Sequence, residues 1–519
     1  MKKITKIVLK NFKKFKELEV LFNKEMNIFV GDNEAGKSTV LTALDFVISG
    51  SRHKVEKAGL EHLFNVDVIS SYLASDRNLE DLPQLIVDVY LNEQHNMDLN
   101  GQNNLTGENC DGLRLHCYPM EDYHSDIQSA LASAESNFPF EYYAIKFLTF
   151  SGEAYNGYKK YLKHLFIDSS LVSNEYATRE YVRDVYHLTT TNTEKYKLKN
   201  EYRQSKRNFE TNSLSSLNEN LEEYKFGIRH GEKHSVEEDL VILENEIPID
   251  NMGKGRQSFV KTEFALKRNN ENDLDMILLE EPENHLSHTN MRKLIDRIAK
   301  TSNKQVFVAT HSSLIASRLG LNLVHMMRDN GNPIRLKDLP GDTPDFFIKA
   351  PDNNILEFLL SDKVLLVEGS AEYILMEALF KNVTETNLNS SGVHIVSVNG
   401  LSFKRYLDIA TILNKKVAVV RDNDGHFEEN CINNYSSYTS ENIKVFSDSD
   451  DTKHTFEVCF YGENKNICDE LFQEGRRTLS VLDYMLGNKT DAALELLLKK
   501  ESELIAPDYI KEAIEWIKS

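Results

Sequence analysis

Cysteine and long apolar runs are both scarce in this sequence, and each absence narrows what the protein can be. Five cysteines among 519 residues form no close CxxC pair, so the sequence predicts neither a disulfide framework nor a zinc site. A reducing compartment fits this usage best. No apolar run approaches the roughly 18 residues of a membrane span, and the lysine-rich start lacks the features of a signal peptide. We therefore expect a cytoplasmic protein without a membrane partner.

Positive charge is also in short supply. The chain has 61 Lys and Arg against 81 Asp and Glu, which gives a formal net charge of −20. This balance argues against nucleic-acid binding driven by overall charge, although a local basic groove or carboxylate clusters that bind metal remain compatible with it. The hydrophobic fraction of 40% is sufficient for globular folding, and the length suggests roughly three domains.

The most informative stretch is a glycine-bounded loop between an apolar run and a helix-like segment. Gly31-Asp32-Asn33-Glu34-Ala35-Gly36-Lys37-Ser38 follows Ile28-Phe29-Val30. Its glycines allow backbone N–H groups to point at phosphates, and the following helix N-terminus adds positive potential. Lys37 can reach the β- and γ-phosphates, and the Ser38 hydroxyl can hold Mg²⁺. We predict that ATP binds at Gly31, Asn33, Gly36, Lys37, Ser38 and Thr39.

Two later strands are predicted to complete this nucleotide site. Met276-Ile277-Leu278-Leu279 runs directly into Glu280-Glu281-Pro282-Glu283. Glu280 is predicted to hold Mg²⁺, and Glu281 to orient or deprotonate the attacking water. A further buried strand beginning at Gln305 ends in His311, a position suited to sensing the γ-phosphate.

Alternating or continuous apolar residues predict further strands in the first half of the chain: Ile4–Leu21 as a strand pair, Leu85–Leu91, Leu113–Tyr118 and Tyr142–Phe150. Residues 92–112 between two of them are predicted to form a long loop. From about residue 155 to 244 apolar residues become sparse and Lys, Glu, Asn, Tyr and Ser dominate. This composition predicts a helical insertion, with a partly flexible arm or a dimerisation element as alternatives.

A second α/β unit is predicted beyond a linker at Pro333–Pro351. Its strands Val364–Val367, Val393–Val398 and Val417–Val420 alternate with helices, which implies a parallel sheet with ligands at the carboxyl ends of its strands.

Acids follow the first and third strands of this second unit. Glu368 follows the first strand, Glu372 lies on the next helix, and Asp422 and Asp424 follow the third strand. Carboxylates gathered at one sheet edge repel each other, and a hard divalent cation relieves that repulsion. The pattern therefore predicts a Mg²⁺ or Mn²⁺ site, with a plain acidic turn at Asp422–Gly425 as the alternative.

These motifs together resemble a known protein family. The phosphate loop, the acids from Glu280 and Thr310-His311-Ser312 resemble the ABC-type ATPase heads of the RecF, SMC and Rad50 group. The second unit resembles a Toprim domain, with Glu368 as its first-strand glutamate and Asp422 and Asp424 as its DxD pair. Such a head followed by Toprim is the arrangement of the OLD (overcoming lysogenization defect) nucleases, which include Gabija-type and retron-associated anti-phage effectors.

The resemblance implies an α/β fold with two domains. Residues 1–345 would form an ABC-type P-loop ATPase domain, with the helical insertion at about 155–244 as its dimerisation element. Residues 346–519 would form a Toprim nuclease domain, a parallel-sheet α/β unit with a helical C-terminal region.

The same resemblance extends the predicted site. Thr455-Phe456-Glu457 looks like the family's additional metal-binding glutamate, and Gly487-Asn488-Lys489-Thr490 looks like its lysine motif. In the family, two divalent metals serve DNA cutting, and Lys489 would neutralise charge on the scissile phosphate. The implied metal ligands are Ser38, Glu280, Glu368, Glu372, Asp422, Asp424 and Glu457. The implied catalytic residues are Glu281, Glu368, Asp422, Asp424, Glu457 and Lys489.

The sequence departs from the ABC pattern at two points. It has no LSGGQ-like signature, and Gly253–Ser258 stands where one is expected. Glu280 replaces the usual Asp, so ATP is expected to act as a gate that is hydrolysed slowly.

The function expected from the resemblance is a nucleotide-regulated, metal-dependent DNA endonuclease or nickase of anti-phage defence. The main alternative is an ATP-gated DNA-binding scaffold or repair-type ATPase without cleavage. A topoisomerase-like or primase-like role and an ABC transporter subunit fit less well. The expected partners are DNA, further copies of the chain in a homodimer or higher oligomer, and a helicase-like protein or a retron reverse transcriptase with its multicopy single-stranded DNA.

Overall fold

A computed structural model gives the fold of this chain. It describes residues 2–92, 94–132, 137–169, 175–219, 221, 224–229, 231, 235–267, 274–301, 304–327, 331–338, 343, 346–347, 355–398, 400, 402–473 and 479–519. The chain divides into two compact units, the first of Met1–Ile315 with Met327–Pro333 and the second of Ala316–Met326 with Ile334–Ser519.

The strands, in chain order, are β1 (Ile4–Phe12), β2 (Phe15–Leu21), β3 (Met26–Val30), β4 (Leu85–Leu91), β5 (Asn100–Gly101), β6 (Cys110–Pro119), β7 (Tyr143–Thr149), β8 (His164–Asp168), β9 (Leu243–Glu244), β10 (Ile247–Pro248), β11 (Met276–Glu280), β12 (Gln305–Ala309), β13 (Val324–Met326), β14 (Ile334–Arg335), β15 (Lys363–Val367), β16 (Val393–Ser397), β17 (Lys416–Val420) and β18 (Ile443–Phe446).

The helices, in chain order, are α1 (Lys37–Ser49), α2 (Arg52–Ala58), α3 (Leu60–Leu63), α4 (Val66–Leu73), α5 (His124–Leu131), α6 (Glu175–Thr189), α7 (Asn192–Asn212), α8 (Ser215–Asn218), α9 (Val236–Asp239), α10 (Lys254–Lys267), α11 (His288–Ala299), α12 (Ser313–Leu319), α13 (Ile355–Leu360), α14 (Ser370–Thr384), α15 (Leu388–Ser391), α16 (Phe403–Leu413), α17 (Phe456–Glu463), α18 (Lys465–Phe472), α19 (Val481–Gly487), α20 (Lys489–Lys500) and α21 (Asp508–Lys518).

An antiparallel sheet opens the first unit. Its strands lie in the order β2-β1-β4-β6, and β7 pairs with the other side of β6. The hairpin of β1 and β2 places Phe12 opposite Phe15, which confirms the predicted strand pair. The predicted strands at Leu85, Leu113 and Tyr142 are also confirmed, although β6 begins earlier than expected, at Cys110.

Parallel strands carry the nucleotide motifs. β3, β12, β11 and β8 lie side by side in that order, all parallel. Every residue of β3 and β12 is buried, as continuous apolar strands covered on both faces should be. α1 follows the phosphate loop, and most of its residues are buried in a core shared with the antiparallel sheet.

The insertion predicted from about residue 155 begins later than expected, and this corrects the prediction. The segment His164–Asp168 is β8, a strand of the parallel sheet, and the Tyr155 hydroxyl donates a hydrogen bond to the carbonyl of Val47 in α1. Its helices α6 to α9 therefore lie beyond β8, and residues 170–174, 220, 222–223, 230 and 232–234 of the insertion are outside the described residues. No helix among those that the structure describes has the length and apolar character needed to cross a membrane.

The second unit is built on a parallel sheet of order β16-β15-β17-β18. Its first three strands match the prediction, and β18 was not predicted. The core lies between this sheet and helices that include α14, α20 and α21, with Leu365, Phe380, Phe460 and Ile514 all fully buried. The acids predicted for the metal site follow β15 and β17, so the parallel arrangement places both segments at one sheet edge.

The predicted linker Pro333–Pro351 is only partly described. Ile334 and Arg335 form β14, and the buried Thr343 hydroxyl donates to a carboxylate oxygen of Asp408 at 2.8 Å. Those described residues therefore belong to the second unit. Residues 339–342, 344–345 and 348–351 lie outside the described residues, so the predicted boundary between 345 and 346 stays a prediction.

Candidate functional site

The phosphate loop requires its two glycines for different reasons. Gly36 has a φ of 96°, and a Cβ there would lie 2.3 Å from the ring of Phe15. A Cβ on Gly31 would lie 2.9 Å from the backbone oxygen of Met327. A side chain at either position would displace these neighbours, so glycine is required at both for the loop to pack this closely.

Lys37, the first residue of α1, lies inside this loop. Its ammonium donates hydrogen bonds to the carbonyls of Gly31 and Asp32, both at 2.8 Å. Burial lowers the pKa of Lys37, while the charges of Glu281, Asp32, Glu280 and Glu283 oppose that shift. The predicted loop residues Asn33 and Ser38 are exposed and Thr39 is buried.

Acids meet at the carboxyl ends of the parallel strands. Glu280 ends β11 and lies in register with Asp168, which ends β8. Burial raises the pKa of Glu280, a hydrogen bond from Ser38 opposes the shift, and Asp168 adds to it. The Ser38 hydroxyl and the Glu280 carboxylate are therefore adjacent oxygen donors, a pair that suits Mg²⁺. Asp168 was missed because its short strand was not predicted.

Glu281 and His311 face each other at the end of this sheet. His311 Nε2 lies 3.8 Å from a carboxylate oxygen of Glu281, whose backbone N–H donates to the Ala309 carbonyl at 2.8 Å. Burial and the charge of Lys37 lower the pKa of His311, and Glu281 opposes them. The imidazole is thus neutral near pH 7 and can offer one donor and one acceptor nitrogen.

Glu283 is a site residue that the sequence prediction did not include. Its Oε1 accepts hydrogen bonds from the Thr310 hydroxyl at 2.7 Å and from the backbone N–H groups of His311 and Ser312 at 2.9 and 3.1 Å. This carboxylate therefore fixes the backbone that carries His311. The available signal was a third acid close behind Glu280 and Glu281 at the end of the strand.

The segment expected in place of an ABC signature begins α10. A Cβ on Gly255 would lie 2.1 Å from the His285 carbonyl oxygen, and the Ser258 hydroxyl lies 3.0 Å from that of Ser169. Close packing within the first unit therefore accounts for the small residues Gly255 and Ser258 in this segment.

In the second unit, acids from separate segments act on one another. Asp422 follows β17, and burial together with the charges of Glu372, Glu368 and Glu457 raises the pKa of its carboxyl to about 8. Lys489, the first residue of α20, opposes this shift. Burial is the largest cause of the shift, and the contributions of the three glutamates indicate that they lie within electrostatic range of Asp422.

Of the other acids, Glu372 and Glu457 are buried and Glu368 is half-buried. Burial and the charges of Glu457 and Glu368 raise the pKa of Glu372 to about 7. Oε2 of Glu368 is buried and has no hydrogen-bond partner among the residues that the structure describes. An unpaired buried carboxylate oxygen is costly, so this atom marks a place where a cation or a proton would be stabilising.

Lys489 supplies the positive charge of the group. Its ammonium lies 2.9 Å from Oε2 of Glu457, whose side chain is 3% exposed. Burial alone would lower the pKa of Lys489, but the hydrogen bond and charge of Glu457, with Asp422 and Glu372, raise it.

Asp424 is not directed toward the other acids. It is exposed, with a φ of 52°, and its carboxylate accepts a hydrogen bond from an Nη atom of Arg421 at 3.1 Å. Arg421 is held in turn by the Tyr435 hydroxyl at 3.0 Å and by the Asp422 carbonyl at 2.9 Å. The structure therefore brings Glu368, Glu372, Asp422, Glu457 and Lys489 together and leaves Asp424 paired at the rim.

Within the part of the chain that the structure describes, no three His, Cys, Asp or Glu side chains form a group that could hold a metal ion. The donor set itself fits a hard divalent cation, because it consists of carboxylate oxygens that repel one another, one of them unpaired. Two of the predicted ligands are turned to other partners, since Glu457 pairs with Lys489 and Asp424 with Arg421.

Comparison with known families identifies both units. Residues 359–424 match the family model of the overcoming lysogenization defect protein-like Toprim domain. Residues 6–106 match a model described as AAA domain. Residues 132–317 match one described as AAA domain, putative AbiEii toxin, Type IV TA system.

Individual relatives agree with these domains. The Old nuclease of Escherichia phage P2 is 26% identical over 161 residues, which covers 29% of this chain and 28% of that protein. The DNA replication and repair protein RecF of Clostridium kluyveri is 38% identical over 63 residues, 12% of this chain and 17% of that protein. The chain thus spans less than a third of the length of the curated relatives it matches.

Solved structures show weaker likeness. The C-terminal region of the Burkholderia pseudomallei OLD protein is 18% identical with a TM-score of 0.24, and it covers 31% of this chain and 98% of that one. By the family models, an N-terminal ATPase region precedes an OLD-like Toprim domain in an α/β chain. The chain is thus an ATPase–Toprim protein whose Toprim domain matches the OLD-like family model.

Proposed function

We propose that this chain is a nucleotide-regulated, metal-dependent DNA endonuclease or nickase whose cutting site lies in the second unit. One observation carries this proposal. Burial and the charges of Glu372, Glu368 and Glu457 raise the pKa of Asp422 to about 8, and the charge of Lys489 opposes them. The Old nuclease relative supports the choice of reaction.

The carboxylates of this group would hold Mg²⁺ or Mn²⁺, and such a cation supplies Lewis acidity and a more acidic bound water. Asp424 would join the set once Arg421 pairs with another anion. Lys489, whose ammonium pairs with Glu457, would stabilise the negative charge that develops on the scissile phosphate. Burial of the acids excludes bulk water and strengthens each of these interactions.

The first unit would bind ATP and control access of DNA. Lys37 and the backbone of the loop from Gly31 to Ser38, with Asn33, Gly36 and Thr39, would hold the phosphates. Ser38 and Glu280 would hold Mg²⁺, and Glu281 would orient water. A neutral His311, fixed by Glu283, would respond to the γ-phosphate. Slow hydrolysis of ATP would suit a nucleotide that controls the access of DNA.

Cleavage of supercoiled plasmid by the purified chain tests the proposal. Wild type, a variant with Asp422 and Asp424 both changed to Ala, and a control with the exposed Asp450 changed to Ala are compared. Each is incubated with Mg²⁺ or Mn²⁺, with and without ATP. Nicked or linear product from wild type and the control alone is expected. Cutting by the double variant at the wild-type rate would contradict the assignment of the cutting site, provided that all three proteins bind ATP equally.

A second candidate function is an ATP-gated DNA-binding scaffold that does not cut. The pairing of Asp424 with Arg421 favours it, together with the lack of a metal-holding group among the described residues. This candidate predicts that the chain retards DNA in a gel and yields no cleaved product with any metal. The double Ala variant should then bind DNA as wild type does and also yield no product.

The cellular setting is a further part of the proposal. We infer a cytoplasmic anti-phage effector that works as a homodimer or higher oligomer on DNA. A helicase-like protein or a retron reverse transcriptase with its single-stranded DNA would be its partner. All five cysteines are free, as a reducing compartment requires. Copurification from an infected host and the mass of the purified chain in solution test these statements.

A further inference from the structure

Asn423, the residue between the two aspartates of the Asp422-Asn423-Asp424 turn, is almost completely buried, at 1% exposure. An asparagine side chain has two N–H donors and one strong acceptor, and burying it is costly unless these are satisfied. Here all of them are used, and most of the partners come from one other segment of the chain. That segment is the loop of residues 447–455, which connects β18 to α17.

The amide nitrogen of Asn423 holds this loop through backbone carbonyls. Nδ2 lies 2.8 Å from the oxygen of Asp448, 3.0 Å from that of Asp450 and 3.4 Å from that of Lys453. The loop is thereby wrapped around one side chain.

The remaining groups of Asn423 fix its own turn. Its Oδ1 accepts the Gly425 N–H at 2.8 Å, and its carbonyl accepts from the Asn430 side chain at 2.9 Å. The next N–H, that of Asp424, donates to the His454 carbonyl at 3.2 Å. The turn and the loop are therefore tied together at several points, with Asn423 at the centre.

This connection matters because the loop leads directly into Glu457. Residue 455 precedes α17, and Glu457 stands in the first turn of that helix. Glu457 is buried and Asp422 is half-buried, and two carboxylates held near each other repel. A rigid link is needed to keep two such groups adjacent.

We propose that Asn423 is a positioning residue that sets the separation of Asp422 and Glu457 by holding the 447–455 loop against the Asp422-Asn423-Asp424 turn. The proposal rests on the proposed cutting site. It assigns to the middle residue of the turn a role that neither flanking aspartate can fill. Aspartate at this position would keep the acceptor, lose both donors and set a negative charge against three carbonyl oxygens. Serine would be too short to reach them.

The test compares full-length N423D with wild type, with N423S as a second variant of lower charge. Asp451→Ala serves as the matched control. It removes a peripheral anchor of the same loop, the acceptor 2.8 Å from the Phe427 N–H, and leaves Asn423 in place. Binding of Mn²⁺ without DNA is followed by the electron paramagnetic resonance signal of the free ion. Amide hydrogen exchange of residues 447–457 is measured on the same samples.

The proposal predicts that Mn²⁺ affinity falls about tenfold to hundredfold in N423D and N423S and stays within about twofold in D451A. Exchange in 447–457 should rise in the Asn423 variants while the phosphate-loop peptides stay unchanged. A variant that is only less stable would lose binding-competent molecules and keep the affinity of the rest.

Wild-type Mn²⁺ affinity in both Asn423 variants would overturn the proposal, as would a wild type that binds no Mn²⁺. Plasmid cutting is scored separately. A wild type that cuts no DNA, combined with the predicted loss of Mn²⁺ affinity in N423D, would refute the nuclease and leave the positioning role standing.

Discussion

The ammonium of Lys489 lies 2.9 Å from Oε2 of Glu457, a contact that joins the start of α20 to the start of α17. The two residues are 32 positions apart in sequence, and the charge of Lys489 opposes the raised pKa of both Asp422 and Glu372. The Lys489 ammonium therefore offsets part of the negative charge of the acids and could also bind a phosphate.

Changing Lys489 to Met should abolish most DNA cutting. Removing a single well-placed charge donor at a reacting centre costs about 10²- to 10³-fold in rate, and here Glu457 would also lose its partner. Cutting rates of plasmid DNA, with binding measured separately by gel shift, check this. Lys499→Ala is the control, because Lys499 is exposed and pairs with Glu495 on the same helix. Equal rates for the Lys489 variant and this control would contradict the assigned role.

Two variants in the first unit should separate ATP binding from hydrolysis. Lys37→Ala removes the ammonium that lies in the phosphate loop, so affinity for a fluorescent ATP analogue should fall at least about tenfold. Glu281→Gln should keep the affinity and lower the hydrolysis rate about 10²-fold or more. Exposed Lys24→Ala should change neither quantity. Hydrolysis at the wild-type rate in E281Q would refute the role of Glu281.

A buried ion pair should make the first unit sensitive to acid. Asp45 accepts both Lys54 at 2.9 and 3.0 Å and His164 at 2.7 Å. Burial alone would raise the pKa of Asp45, but Lys54 and His164 outweigh it and hold that pKa below its usual value of 3.8. Asp45→Asn should cost about 3 kcal/mol at pH 7.

The sign of the acid effect follows from the lowered pKa. The contribution of Asp45 is fully present above the carboxyl's ordinary pKa and is lost as the pH falls toward the lower folded value. The difference in melting temperature between wild type and D45N should therefore shrink below about pH 4. Asp67→Asn, which removes an exposed pair with Lys16, should have little effect at either pH. A difference that grows in acid would disprove the account.

Lys261 should make stability depend on pH in the alkaline range, where Asp45 has no effect. Burial lowers its pKa to about 8, against the charge of Asp250, and its ammonium donates to the Thr178 hydroxyl at 2.9 Å. A lysine with a lowered pKa in the folded state destabilises that state when its side chain is protonated. The free energy of unfolding should therefore rise as the pH increases from 8 toward 10 and the folded protein loses this proton. Lys261→Met should remove this rise. The melting temperatures of wild type and the Lys261→Met variant at pH 7 and 9.5 test this prediction. An equal change in both proteins would contradict the role given to Lys261.

The nucleotide loop and the strand-end acids could be predicted because each follows a local pattern. An apolar run, a turn and a polar residue identify Lys37, Glu280, Glu368 and Asp422 without any knowledge of the rest of the fold. Parallel strands end at a common edge, so the meeting of Glu368 and Asp422 followed from the pattern as well.

The remaining features depend on contacts between distant segments. β8 is five residues long and lies among Lys and Tyr residues, so neither it nor Asp168 gave a usable signal. Asn423 looked like the spacer of a DxD motif, and its three carbonyl partners lie 25 to 30 residues away. The pairing of Asp424 with Arg421 competes with metal binding in a way that no local spacing encodes.

The most direct test of the central claim is the rate of plasmid nicking by Glu368→Gln at saturating Mn²⁺. Glu368 carries the unpaired buried oxygen of the acidic group, whereas Glu377, on the neighbouring helix α14, is exposed and provides the control variant E377Q. The account predicts that E368Q loses at least about 10²-fold in rate while E377Q and wild type nick equally. Nicking by E368Q at the wild-type rate would contradict the assignment of DNA cutting to the second unit.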